Sequence, residues 1–196
     1  MKRIVIFASG SGTNAENLIT YFENDQNIKV VQVLSNNAQA QVLERAKRRN
    51  ISALSFNRIA FTKTNEVLNI LKANHPDLII LAGFLWKMPI SILEAFPNKI
   101  INIHPALLPK YGGKGMYGMH VHEAVVANRE SESGITIHYV NENYDEGAII
   151  FQAKCEVLAG DTADDVAAKI HELEMEHFPK VVERLLRNED FEIPFE

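Results

Sequence analysis

Cysteine is almost absent from this chain. Cys155 is the only one in 196 residues, so no internal disulfide can form, and a reducing, cytoplasmic setting is the expectation. Long apolar runs are also missing. None approaches the ~20 residues that a membrane-spanning helix needs, so no membrane association is expected. The N-terminus passes from Met1-Lys2-Arg3 straight into a strand-like run, without the apolar core and cleavage pattern of a signal peptide. There is no basic excess: 20 Lys and Arg against 25 Asp and Glu leave a net charge of -5, which argues against a general nucleic-acid binder. His-Glu-x-x-His and paired cysteines are lacking too, so no metal site is expected. His120 and His122, and His171, Glu174 and His177, have spacings that hint at ligands. Successive three-residue steps, however, spread the second set around a helix. What remains is ordinary globular material, 46% hydrophobic and 23% charged. With no repeat, linker or low-complexity segment, a single domain over 1–196 is expected.

Short apolar runs alternate with helical patterns. Residues 3–8 carry the β-branched trio Ile4, Val5 and Ile6 and end at a glycine turn, as a buried parallel strand does. The predicted order continues as helix 14–23, with Asn14 as its N-cap, strand 29–34, helix 39–49, strand 53–56, helix 62–73, strand 77–82 and strand 99–103. That alternation predicts an α/β, Rossmann-like fold: a mostly parallel sheet with helices on both faces. The segment 104–119 is rich in Pro and Gly and has no clean period. After a helix near 121–128, runs 134–140 and 148–157 are expected to pair as an antiparallel extension. A long helix, 161–187, follows, with Pro179 as a candidate bend.

The first turn reads Ser9-Gly10-Ser11-Gly12-Thr13-Asn14. Glycines there allow close backbone approach, and free N–H groups at a helix start attract anions. A dinucleotide fold would place an acid at the end of the second strand. Here that position reads Leu34-Ser35-Asn36-Asn37. A phosphate monoester site and a ligand-free structural turn both remain open. On the first reading, a branched side chain at Gly12 is expected to intrude on the anion.

Alternation puts Asn102 and His104 on one face of the strand ending in Asn102-Ile103-His104-Pro105. Pro105 disfavours helical angles at His104. An amide and an imidazole at the C-terminal edge of a parallel sheet suit a developing oxyanion, and they equally suit a polar strand end satisfied by local backbone. Farther on, Tyr144-Asp145-Glu146-Gly147 follows a strand. Asp145 is either a turn aspartate or the partner of an imidazole, in which case it is expected to raise the pKa of His104 and favour the imidazolium.

Taken together, SGSGTN at 9–14, LAGF at 81–84, INIHPALLPKY at 101–111, GITIHYVNENYDEGAII at 134–150 and LEMEHFP at 173–179 resemble the phosphoribosylglycinamide formyltransferase family over nearly the whole chain. The resemblance implies transfer of a formyl group from 10-formyltetrahydrofolate to the amine of glycinamide ribonucleotide, in purine biosynthesis, with no metal. It implies catalytic roles for Asn102, His104 and Asp145. Gly12, Thr13 and Asn14 would hold the phosphate and Glu174 the ribose. For the folate it implies Asn102, Leu85, Trp86, Lys87 and Met88, with Val140, Asn141 and Tyr144 as further walls. His138 is implied near the centre in a secondary role. Familiar members carry an arginine where Trp86 stands and another before the third helix, so Lys63 and Lys87 are the expected cations for the folate tail. The loop 112–118 is longer than in the shortest members. The stretch 104–119 is expected to fold over substrate, with Leu108–Pro109 cis. The partners implied are small molecules, with room for a weak homodimer. Relatives that formylate tRNA or hydrolyse the folate carry an added domain, so the ribonucleotide is the expected acceptor.

Overall fold

The computed structural model describes residues 1–189; the end of the expected 1–196 domain, 190–196, lies outside them. The first half follows the alternating pattern as β1 (Lys2–Phe7), α1 (Thr13–Tyr21), β2 (Ile28–Ser35), α2 (Gln41–Arg48) and β3 (Ser52–Ser55). The expected helix 62–73 is two helices, α3 (Arg58–Thr62) and α4 (Glu66–Asn74). Asn57 caps α3 by accepting from the Ala60 N–H at 2.9 Å, which starts helical structure earlier than the apolar period suggested. β4 (Leu78–Ala82) precedes α5 (Ile90–Ala95), a short helix that the sequence reading missed, and β5 (Ile100–His104) follows. The second half comprises α6 (Met119–Ala127), β6 (Glu132–Tyr139), β7 (Ile149–Glu156) and α7 (Ala163–Arg187). α7 runs on through Pro179.

The strands form one sheet in the order β3-β2-β1-β4-β5-β6-β7. β1 to β5 are mutually parallel, and β6 and β7 are antiparallel additions. Strand alternation divides the core between two faces. Ile4 and Ile6 of β1 pack with α1, α2 and α7, while Val5 and Phe7 pack with α3, α4 and α5. Both faces of the central strands β1 and β4 are therefore covered, which explains why they read as unbroken apolar runs.

This order has a functional consequence. β1 pairs with β2 on one side and β4 on the other, so the chain switches direction across the sheet there. The loops leaving β1 and β4 diverge and leave a crevice at the strands' C-terminal ends. They are stitched at its floor: the Ser9 N–H donates to the Gly83 carbonyl at 3.0 Å, and the Leu85 N–H donates to Ser9 Oγ at 3.0 Å. Among the described residues no helix is long and apolar enough to cross a membrane.

Candidate active site

The crevice is the mouth of a cavity of about 770 Å³. The turn of residues 9–14 lines it, with Phe84, Leu85 and Tyr144. Asn102, His104 and Asp145 line it as well. The segment 113–118 closes one side, and the α7 residues His171 and Glu174 another.

The glycine turn owes its shape to packing. Gly12 is the N-cap of α1, with φ 77 in the left-handed region. A Cβ there would overlap the Val42 side chain and lie 2.9 Å from Val42 Cα. The expectation that a branched residue at Gly12 would intrude on an anion is thus corrected: it would be driven into α2. The expected cap at Asn14 is corrected as well. Asn14 lies inside α1, and its Nδ2 donates to Glu174 Oε2 at 2.9 Å, tying α1 to α7. Burial, opposed by Asn14 and His171, pushes the Glu174 carboxyl above the usual carboxylate range. It is a desolvated acid on the cavity wall.

Register places the reactive cluster. Asn102 on β5 pairs with His138 on β6. Asn102 Nδ2 lies 3.1 Å from His138 Nε2 and donates to Asp145 Oδ1 at 3.4 Å. His138 Nδ1 lies 2.8 Å from the Tyr139 carbonyl, which can only accept. Nδ1 therefore carries a proton, and Nε2 is left facing both Asn102 Nδ2 and, at 3.6 Å, Asp145 Oδ1. His104, only 4% exposed, directs Nε2 at the Tyr111 carbonyl at 2.7 Å and Nδ1 at Asp145 Oδ2 at 3.7 Å. By the same logic Nε2 is its protonated nitrogen. Asp145 takes a left-handed φ of 56 and is anchored by the Gly113 N–H at 2.9 Å. Gly147 lets this loop lie against β6, because a Cβ there would overlap the Tyr139 carbonyl.

Electrostatics correct one expectation. Burial lowers the His104 pKa and outweighs the raising effects of Asp145 and the Tyr111 carbonyl. Neutral imidazole is favoured, because desolvation penalises the charged form more than one carboxylate at 3.7 Å repays it. Burial alone would raise the Asp145 carboxyl, but His138, His104 and the Gly113 N–H together hold it below the usual range.

Not every expected residue reaches the cavity. Asn102, His104, Asp145, Gly12, Thr13, Asn14, Glu174, Leu85 and Tyr144 line it. Met88 is buried in the second core, with Trp86 and Val140 packed against that cluster; Trp86 also lies under the Arg58 guanidinium, 5.3 Å from the ring centre. Asn141 accepts from the Asn143 N–H in an exposed turn. Lys63 and Lys87 are exposed and do not line the cavity. Lys114, which the sequence reading passed over, is the lysine that does; its place in a glycine-rich segment was the available signal. Thr136 was missed too. It is fully buried, accepts from the Leu108 N–H at 3.0 Å and donates to the Ala106 carbonyl at 2.6 Å, fixing the chain after His104. The Leu108–Pro109 bond is cis, as the resemblance implies.

The sequence pattern of the formyl transferase family matches residues 2–182. The chain belongs to that family. A phosphoribosylglycinamide formyltransferase from Haemophilus influenzae is 36% identical over 187 residues, covering 93% of this chain and 86% of that protein. The chloroplastic enzyme of the same name from Arabidopsis thaliana is 35% identical over 187 residues, 92% of this chain. The chain spans 64% of that relative's length, and 61% of the Vigna unguiculata one. Among solved structures, glycinamide ribonucleotide transformylase 1 from Symbiobacterium toebii superposes with a TM-score of 0.87 at 32% identity, covering 96% of this chain and 89% of that one. The family likeness thus includes β6 and β7, which complete the cluster around Asn102.

Proposed function

We propose that this formyl transferase family member moves the formyl group of 10-formyltetrahydrofolate to the amine of glycinamide ribonucleotide. The observation that carries the reading is the convergence of Asn102 and His104 from β5 with Asp145 from the loop between β6 and β7, in a cavity that the helix-start turn, Leu85 and Tyr144 also line. The ribonucleotide phosphate sits at the N–H groups of Gly12, Thr13 and Asn14, where the start of α1 favours an anion. Its ribose hydroxyls meet Glu174. The folate enters past Leu85 and Tyr144, with Trp86, Met88 and Val140 behind that wall. Asn141, Lys63 and Lys87 lie outside the cavity, where only the distal folate tail would meet them.

The amine nitrogen attacks the formyl carbon, and the carbonyl electrons move to oxygen. Asn102 donates to that oxyanion through the Nδ2–H that gives up its long 3.4 Å contact with Asp145, and His104 through Nε2–H once it leaves the Tyr111 carbonyl. Collapse restores the carbonyl and breaks the bond to the folate N10. The amine loses one proton and N10 gains one. Asp145 and His104 hold that proton in transit, since an imidazolium formed at Nδ1 faces the carboxylate. Purified chain with both substrates should yield formylated ribonucleotide and tetrahydrofolate, followed by mass spectrometry and absorbance. Absence of both products would reject the reading.

A further inference from the structure

Four buried side-chain polar atoms among the described residues lack a hydrogen-bond partner: Asn14 Oδ1, Asn36 Oδ1, His122 Nδ1 and Ser133 Oγ. Of these residues, Asn14 and His122 line the cavity. Asn14 belongs to the phosphate turn already described. His122 has no role in the proposed chemistry. It stands on α6, is 5% exposed, and α6 packs against α7, which carries Glu174. A buried polar atom left unpaired costs stability, so one on a residue that lines a ligand cavity is a candidate ligand contact.

We propose that His122 is an acceptor-binding residue whose Nδ1 hydrogen-bonds the neutral amide joining ribose to glycine in the ribonucleotide. This rests on the acceptor assigned above. Position supports it. His122 is close enough to His104 to feel its charge, and its helix lies against the wall that holds Glu174. That associates it with the acceptor side of the cavity, whose ribose end is assigned to Glu174. Chemistry supports a neutral partner. Burial first, and His104 second, lower the His122 pKa, so a phosphate, which would call for imidazolium, is disfavoured. An amide suits either tautomer, because it offers a carbonyl to a protonated Nδ1 and an N–H to a bare one.

The test exploits atom position. An asparagine side chain puts a polar atom near the place of Nδ1, a glutamine near that of Nε2. Calorimetric titration with the ribonucleotide alone, which does not depend on turnover, should show affinity falling about tenfold in His122→Phe, the loss of one good hydrogen bond. His122→Asn should stay within about threefold of the parent, and His122→Gln should resemble His122→Phe. The Michaelis constant for the folate should be unchanged in all three. Parental affinity in a folded His122→Phe overturns the proposal, as does a glutamine that rescues better than asparagine. If the phenylalanine variant does not fold, the asparagine–glutamine comparison decides. A parent that binds ribonucleotide without formyl transfer sinks the assigned reaction and leaves this contact standing.

Discussion

At the scale of single residues, the cluster around Asn102 is an arrangement of donors held by carbonyls and one carboxylate. Asn102 contributes an amide already oriented by His138 and Asp145, so it loses little freedom when charge develops on the formyl oxygen. Removing one such donor typically costs about 10²–10³ in rate. Asn102→Ala should therefore lower kcat by that range with little change in ribonucleotide affinity, as steady-state kinetics would show. His104 is the more informative group. Its neutral form is favoured by burial, and Asp145 is the strongest opposing influence. An NMR titration of the His104 ring should give a midpoint below about 6.5, the ordinary value. Asp145→Asn removes the raising influence, so the midpoint should move lower still while turnover collapses. A midpoint that rises in this variant would contradict the geometry.

At the scale of elements, the turn between β1 and α1 shows how packing and binding share residues. Gly12 needs a left-handed φ and has Val42 of α2 directly against it. Gly12→Ala should destabilise the fold by at least about 2 kcal/mol, combining backbone strain with overpacking, read from denaturant unfolding. A variant of parental stability that merely binds ribonucleotide poorly would reverse this assignment. α7 is anchored at its start by a capping box in which Thr162 accepts from the Asp165 N–H at 3.2 Å. Three turns farther on it presents Glu174 to the cavity, so helix stability and ribose recognition are carried by one element.

At the scale of the whole molecule, buried titratable groups in one cavity couple function to stability. His104 and His122 have lowered pKa values in the folded state. Their unfolded rings take protons first as pH falls below about 6.5, so the stability they contribute is present above that pH and is lost as pH falls through their folded values. Glu174 has a raised pKa and the opposite sign: its contribution is present below about 4.5 and lost as pH rises through the folded value. Between pH 7 and 5 the two kinds of group oppose each other. His122→Asn should make the melting temperature fall less, or rise more, on acidification than in the parent. Glu174→Gln should have the reverse effect. Calorimetric melting at both pH values checks each sign, and an unchanged pH response in either variant would mean that its cavity group does not titrate differently on folding.

Much of this was legible in the sequence because local physics decides it. Strand runs such as Leu78–Ala82, buried throughout, are apolar on both faces whichever neighbours they find, and alternation alone places Asn102 and His104 together. The glycine turn is legible in the same way, whereas the grouping of Asp145 and Glu174 with Asn102 and His104 comes from the family resemblance and not from local pattern. Other features depend on what meets what. Register brings His138 beside Asn102, 36 positions away, and no local pattern encodes a register. The direction of the His104 shift depends on how completely the surrounding elements exclude water, which one sequence cannot reveal. Trp86 and Met88 went to the core instead of the cavity wall because Phe56, Phe61 and Phe84 gather there. The sequence by itself determined the succession of seven strands, the fold class and the reactive residue types. Tertiary structure decided which of those groups lose their water, because desolvation belongs to the packed assembly and not to any segment of it.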